Sequence, residues 1–191
     1  MFLNTPVLVN KYERDYIENH VKGRPFTWHH LPNQINPELV DPRLASIGST
    51  NTPFFNHILM SLSLSEEEGK PGNVLAENIQ DYNFFETIFL RWCNNNINTP
   101  KIIYRACLNC TKSSFGEFTI PHVDHKFPHN VWIMYLNDAV DAPTVFFDDE
   151  WNIVKSAEAR AYTCVAFSQH PHGHIYAKGT DYRIVVVFTW I

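Results

Sequence analysis

The chain has 191 residues, of which 45% are hydrophobic and 14% aromatic, and its formal net charge is −5. This length and composition predict a single domain over residues 1–191 with a sizeable core, and the lack of a basic block makes nucleic acid a poor candidate partner. The N-terminus has no basic and apolar regions of a signal peptide, and no apolar run approaches the roughly 18 residues of a membrane span, so we expect neither a leader nor an anchor.

Helix signals dominate the first half of the chain. Residues 10–21 begin with Asn10, and Glu13 follows three positions later, which is the arrangement of a capping box. Residues 78–93 carry apolar and aromatic side chains at helical spacing. We therefore predict two helices and expect the aromatic face of the second to be buried.

Residues 23–72, between these helices, are rich in proline, asparagine and serine and predict loops with two short elements. We expect a strand near "FTWHHL" (26–31) and a helix near "PFFNHILMSLS" (53–63). The first of these contains side chains that can line a substrate entrance, although core packing is the favoured interpretation: Phe26, Trp28, His29 and His30.

Strand signals dominate after residue 100. Runs of β-branched and aromatic residues are separated by turn residues: "KIIYRACLN" (101–109), "NVWIMYLN" (130–137), "PTVFFDD" (143–149), "RAYTCVAFS" (160–168) and "YRIVVVFTWI" (182–191). Short strands without intervening helices predict a sandwich or jelly roll, with the N-terminal helices packed on one sheet. Residues 1–99 would then form a support layer with outer strands, and residues 100–191 the β core.

The four cysteines predict reduced thiols. Cys107 and Cys110 form a C-x-x-C motif on a predicted strand, but no second pair completes a zinc site. Reduced cysteines favour a cytoplasmic location.

The stretch "TIPHVDH" (119–125) contains the first candidate metal ligands. On a strand, His122 and Asp124 would point the same way and place an imidazole beside a carboxylate. These are two of the three ligands of the 2-His-1-carboxylate triad that suits non-haem Fe(II). Alone, the motif is weak, because about 0.5 H-x-D motifs are expected by chance in a chain of this composition. A histidine cluster follows about fifty residues later, and Arg183 begins the last predicted strand.

Residues 100–191 resemble the 2-oxoglutarate- and Fe(II)-dependent oxygenases, in particular the prolyl-4-hydroxylase-like type and its small phage-encoded members. The resemblance is carried, in chain order, by "PHVDH", by "IMYLND", and by the distal histidine and arginine of "HIYAKGTDYRIVVVF". It implies a double-stranded β-helix (jelly roll), and it implies a function for each matching residue. Iron ligands would be His122, Asp124 and His174; residues that bind 2-oxoglutarate would be Arg183, Tyr135 and Asn109.

The third ligand has three candidates. His174 is preferred because it lies seven residues after Phe167 and nine before Arg183, which fits the spacing of prolyl hydroxylases. His172 follows a proline, as the distal ligand does in some members, and it remains an alternative together with His170.

The resemblance implies hydroxylation of a substrate with O₂, coupled to decarboxylation of 2-oxoglutarate to succinate and CO₂ in the cytoplasm, which would be a host cytoplasm if the chain is phage-encoded. A protein prolyl side chain is the first candidate substrate, and another protein side chain, a small molecule or a nucleobase remains open. The alternatives are a non-enzymatic jelly-roll module, virion-associated or carbohydrate-binding, with a degenerate metal site, and a cupin-like metal protein that does not use 2-oxoglutarate.

Overall fold

The computed structural model describes most of the chain, and the loops expected within residues 24–25 and 32–53 lie outside the described part. The described ranges are 1–23, 26–31, 54–65, 70–75, 78–112, 119–139, 141–178 and 182–191. No helix in these ranges is both long and apolar enough to cross a membrane.

The described elements are mainly strands. The helices are α1 (Lys11–Tyr16), which continues as a π-helical turn (Ile17–Val21), and α2 (Ile79–Asn96). The strands are β1 (Phe2–Pro6), β2 (His29–Leu31), β3 (Phe54–Ser65), β4 (Lys70–Leu75), β5 (Ile103–Lys112), β6 (Asn130–Tyr135), β7 (Thr144–Phe147), β8 (Ile153–Ala157), β9 (Thr163–Ser168), β10 (His172–His174) and β11 (Tyr182–Trp190).

Two antiparallel sheets are formed by these strands. The larger sheet has the order β1-β9-β6-β11-β5-β3-β2, with β4 paired to β3, and the smaller has the order β10-β7-β8. Strands from the N-terminal half thus extend the larger sheet at both edges, through β1 and through β3. The architecture is a double-stranded β-helix, and the predicted mainly-β jelly roll with N-terminal helices is confirmed.

The strands of the larger sheet separate two cores, because successive side chains on a strand point to opposite faces. On β6, Trp132 and Met134 face α2, whereas Ile133 and Tyr135 face the smaller sheet. On the helix side, Phe89 of α2 stacks on an aromatic ring of β11 at a centroid distance of 4.5 Å. The face between the sheets is the one that carries the candidate site.

Both predicted helices are present, and the capping box of α1 is formed. Asn10 Oδ1 accepts a hydrogen bond from the Glu13 amide at 2.9 Å, and the Asn10 amide donates to Glu13 Oε2 at 2.9 Å. Arg91 of α2 adds two hydrogen bonds of 2.8 Å to the same carboxylate. The first helix is therefore fixed to the second by a buried carboxylate.

The prediction of a helix near residues 53–63 was wrong, because β3 begins at Phe54 and continues through this segment. It pairs with β5 in antiparallel register, with Phe55 opposite Cys110. The alternation of apolar residues and serines from Met60 to Ser65 has a period of two, which is the strand signal that the helix prediction overlooked. The short strand expected at residues 26–31 is present as β2.

Candidate metal and cosubstrate site

A cavity opens between the two sheets, and the strands β5, β6, β7, β10 and β11 line it together with the segment before β6. Its polar lining includes Arg105, His122, Asp124, His172, His174 and Arg183. Ile133, Val185 and Val187 supply apolar walls. The cavity thus brings charged and metal-ligating groups from distant parts of the chain into one partly apolar space.

A backbone bridge joins the two chain segments that carry the histidines. The His122 amide donates to the His172 carbonyl at 3.0 Å, and the His172 amide donates back at 3.0 Å. Residues around His122 form only this isolated bridge and no regular strand. The expectation of a strand there was wrong, but the bridge has the effect that the strand was expected to have, since the two histidine rings lie 4.8 Å apart.

One group of three residues has the composition of a metal site. Ligand atoms of His122, Asp124 and His172 all lie within 4.8 Å of one another. Asp124 Oδ2 lies 3.5 Å from His172 Nε2, and this buried oxygen accepts no hydrogen bond from the described residues. A buried carboxylate oxygen without a donor costs free energy, which a cation can recover.

The two histidines have the tautomer that a metal ligand requires. Nδ1 of His122 lies 3.0 Å from the Ile120 carbonyl oxygen, and Nδ1 of His172 lies 3.0 Å from the His170 carbonyl oxygen. A carbonyl can only accept, so each Nδ1 must carry the proton and each Nε2 keeps a free lone pair. Backbone acceptors of this kind orient metal-binding imidazoles in many proteins.

The charges at the cluster also suit a divalent cation. Burial raises the pKa of Asp124, but His172, His122 and Arg105 together lower it by more, so that its pKa lies below the ordinary value. Burial lowers the pKa of His172 to about 4, although the Asp124 carboxylate opposes this shift. At neutral pH the group therefore offers a charged carboxylate and a neutral imidazole, which are the forms that bind metal.

The cluster differs from the sequence prediction at its third member. The structure places His172, and not the preferred His174, beside His122 and Asp124. His174 is also buried and lines the same cavity, but it lies two residues further along β10. His170, the remaining candidate, is exposed. His172 is the histidine beside the cluster because the backbone bridge to His122 forms at this residue, which is the first of β10.

Arg183 lines the cavity, and Tyr135 lies buried beside it, as their predicted role in binding one carboxylate requires. Arg183 is 4% exposed, and its Nη2 donates to Thr144 Oγ1 at 2.8 Å. The Tyr135 hydroxyl is 2.7 Å from the same Thr144 oxygen. The guanidinium carbon lies 5.4 Å from the centre of the Tyr135 ring. A buried cation, a phenol and a hydroxyl thus converge, which is the donor set that a carboxylate requires.

Asn109 lines the cavity from β5, where it was predicted to face the cosubstrate. Its Oδ1 accepts a hydrogen bond of 2.6 Å from Asn56 Nδ2, and its side chain also hydrogen-bonds the Cys107 thiol. Arg105, four residues earlier on β5 and on the same face, was not predicted. The alternation of Arg105, Cys107 and Asn109 along β5 could have indicated it.

Two further residues, which the sequence analysis did not predict, position groups of the site through hydrogen bonds. Thr144 connects Arg183 to Tyr135, and Thr119 fixes β10, since its Oγ1 accepts a hydrogen bond of 2.8 Å from the His174 amide. Neither threonine belongs to a motif, and no local signal could have identified them.

Phe26 is buried and stacks edge-on with Trp28 at 5.0 Å, so these two side chains pack into the core.

The four cysteines are all buried and free. Burial raises the pKa of the Cys110 thiol to about 12. Cys107 faces the cavity between the sheets, whereas Cys110 lies three residues further along β5 and therefore on the opposite face. The C-x-x-C motif does not bring its two thiols together.

Neither a protein-family model nor a curated protein matches the sequence. Solved structures do match. An oxidoreductase of the 2OG-Fe(II) oxygenase family from Burkholderia pseudomallei aligns with 99% of this chain and 85% of its own, at a TM-score of 0.68 and 11% identity. A Trichoplax adhaerens prolyl hydroxylase, solved in complex with a peptide fragment of the hypoxia inducible factor oxygen degradation domain, aligns with 100% of this chain and 83% of its own, at a TM-score of 0.58 and 11% identity.

A third match is SnoN, a non-haem alpha-ketoglutarate-dependent epimerase from nogalamycin biosynthesis. It aligns with 100% of this chain and 78% of its own, at a TM-score of 0.58 and 9% identity. At these identities the likeness concerns the fold. The chain therefore has the fold of the 2-oxoglutarate/Fe(II) oxygenases, and the resemblance predicted from residues 100–191 is confirmed at that level over the whole chain.

Proposed function

We propose that this protein is an Fe(II)- and 2-oxoglutarate-dependent dioxygenase that hydroxylates its substrate. The observation that carries the proposal is the pairing of two sites in one cavity: a cluster of two imidazoles and a carboxylate, and a buried guanidinium. The first suits Fe(II), and the second suits an organic diacid. A non-enzymatic jelly-roll module has no use for a buried cation at that place.

His122, Asp124 and His172 would hold the iron. Three protein ligands leave other coordination positions for small molecules, as non-haem iron oxygenases require. The carbonyls of Ile120 and His170 would keep the two imidazoles in the correct tautomer and orientation. His174 would lie outside this ligand set, in contrast to the assignment made from sequence spacing.

Arg183 would bind the distal carboxylate of 2-oxoglutarate, with Tyr135 as a second donor. The planar guanidinium can offer two parallel N–H groups to a carboxylate. Nε of Arg183 already donates to the Ala142 carbonyl at 3.2 Å, which fixes the orientation of the fork. Asn109 would contact the cosubstrate from β5 through its side-chain amide.

Bound iron, 2-oxoglutarate and O₂ would together supply the oxidation, in which O₂ provides one oxygen atom to the hydroxylated substrate and one to succinate, while CO₂ is released. The contribution of the chain is to fix the geometry and to exclude water. Ile133, Val185 and Val187 line the cavity and limit the access of water to the reacting centre.

A protein prolyl side chain is the first substrate to test, as in the neighbour from Trichoplax adhaerens, which was solved with a peptide. The support is limited to the shared fold, and the same fold also serves an epimerase of a small-molecule pathway. A panel of prolyl peptides, small metabolites and nucleotides, scored by substrate-stimulated release of succinate, identifies the class. Free cysteines agree with a reducing cytoplasm as the location.

The proposed function is tested without a substrate. Fe(II) is added to the protein under anaerobic conditions, and 2-oxoglutarate should then produce a weak visible charge-transfer band. Admission of O₂ should yield succinate. Asp124→Ala should abolish the band, whereas His170→Ala, at an exposed histidine beside the cluster, should retain it. No band and no succinate from the wild-type protein would refute the proposal and favour a binding module.

A further inference from the structure

His174 is a buried imidazole for which the iron site has no use. It is 4% exposed, and its Nε2 has no hydrogen-bond partner among the described residues. It shares a strand face with His172, because residues two apart on a strand point the same way, and both line the cavity. An unpaired polar atom in a buried place costs folding free energy unless a ligand satisfies it.

The pairing of β10 with β7 determines where His174 points. His172 lies opposite Phe146, and His174 lies opposite Thr144. Directly opposite residues of an antiparallel pair have their side chains on the same face, with Cβ atoms about 4.5–5.5 Å apart. His174 is therefore adjacent to the hydroxyl that accepts the Arg183 hydrogen bond and contacts the Tyr135 phenol.

His172 and His174 have different neighbours in the cavity, because they are two residues apart on β10. Two residues along a strand advance the chain by about 6.7 Å. His172 lies next to Asp124, whereas His174 lies opposite Thr144, whose hydroxyl accepts a hydrogen bond from Arg183. Nε2 of His174 has no partner among the described residues, so this atom is available to hydrogen-bond a ligand in the cavity.

We propose that His174 donates a hydrogen bond to the distal carboxylate of 2-oxoglutarate, beside Arg183 and Tyr135, and so contributes to selection of a dicarboxylic over a monocarboxylic 2-oxo acid. The inference rests on the proposed function and extends it. It makes His174 a cosubstrate-binding residue and leaves the metal to His172.

The test compares His174→Leu, which removes the donor, with His174→Gln, which keeps an N–H donor, and with His172→Leu. The first measurement is Mn²⁺ affinity by electron paramagnetic resonance, without any 2-oxo acid. The second is the affinity of the Mn²⁺-loaded protein for 2-oxoglutarate and for 2-oxopentanoate, which lacks the distal carboxylate, by calorimetry. Neither measurement depends on turnover.

The expected result is that His174→Leu keeps its Mn²⁺ affinity, whereas His172→Leu loses it. His174→Leu should bind 2-oxoglutarate about ten- to a hundredfold more weakly, which corresponds to one lost hydrogen bond to a charged group, and His174→Gln should recover part of this loss. Binding of 2-oxopentanoate should be the same in wild type and His174→Leu.

Three outcomes overturn the inference. Loss of Mn²⁺ in His174→Leu would make this histidine a metal ligand. An unchanged affinity for 2-oxoglutarate, or an equal loss for both 2-oxo acids, would mean that His174 makes no contact with the distal carboxylate. Failure of the wild-type protein to bind 2-oxoglutarate at all would instead overturn the proposed function itself, and the inference with it.

Discussion

Replacement of Gly173 by alanine should weaken metal binding, although the residue carries no ligand. A Cβ atom at this position would lie 2.7 Å from Thr119 Oγ1 and 2.8 Å from the Thr119 carbonyl oxygen. Both distances are shorter than any normal contact, and one of the two atoms is backbone. Gly173 therefore permits the close approach of β10 to the segment that leads to His122.

The magnitude of the effect follows from the displacement that the new methyl group requires. Relief of these contacts needs a shift of roughly 0.5 Å or more, and overpacking of this kind costs about 1–3 kcal/mol. For a chain of this size, about 1 kcal/mol lowers the melting temperature by about 2–4 °C. The same shift acts on the neighbouring bridge between His122 and His172, and a metal site tolerates only about 0.5 Å of error.

The measurements are the melting temperature of the metal-free protein and the affinity for Co²⁺ from its visible absorption. We expect Gly173→Ala to melt several degrees lower and to bind Co²⁺ about tenfold more weakly. Thr119→Ala is the matched control, because it removes Oγ1 but leaves the backbone oxygen in place. The double variant should recover part of the affinity lost by Gly173→Ala. Wild-type melting and Co²⁺ affinity in Gly173→Ala would refute the view that this close approach positions the histidines.

Three other changes have defined outcomes. Arg183→Met should abolish measurable binding of 2-oxoglutarate, and an unchanged affinity in calorimetry would contradict the role of Arg183. The melting temperature should not fall, because burial disfavours the charged guanidinium and it forms no ion pair with a described carboxylate. Burial raises the pKa of Glu13, but Arg91 and the Asn10 amide lower it by more, so the ionised carboxylate stabilises the fold. Glu13→Gln should therefore cost about 1–2 kcal/mol at pH 7, and this cost should decrease as the pH falls through the lowered pKa and the wild-type carboxyl becomes protonated too. A loss in urea unfolding that stays the same as the pH is lowered would contradict this. Phe89→Ala should destabilise by about 3–5 kcal/mol, whereas Ala at Ile79 on the exposed side of α2 should change stability little.

The strands of the β core could be predicted because their signal is local. The β-branched and aromatic runs at residues 130–137 and 182–191 contain β6 and β11, and the period of two along β6 places Tyr135 on the inner face with Ile133. The segment at residues 153–157 was missed, because its side chains are mostly exposed and give no apolar alternation.

The third member of the metal cluster could not be fixed by counting residues. His172 and His174 have the same parity along β10, so both face the cavity and a period-two argument cannot separate them. Spacing to Arg183 fails as well, because the number of residues between β10 and β11 can vary without moving either strand. The deciding contact is the backbone bridge between His122 and His172, which joins residues fifty positions apart and has no local signature.

The cost of this cavity to the fold is the strongest physical argument that it binds ligands. A buried guanidinium, a carboxylate oxygen without a donor and an imidazole nitrogen without a partner all face the same space. Each would be replaced at a gain in stability by an apolar side chain of similar size if the cavity only had to be filled. Together with the neighbouring groups they form one complementary set. Imidazole nitrogens and the Asp124 carboxylate can bind a cation, and the N–H groups of Arg183 can bind an anion. A ligand that carries both charges, a cation chelated by an organic diacid, satisfies all three at once, whereas a metal alone leaves Arg183 unpaired.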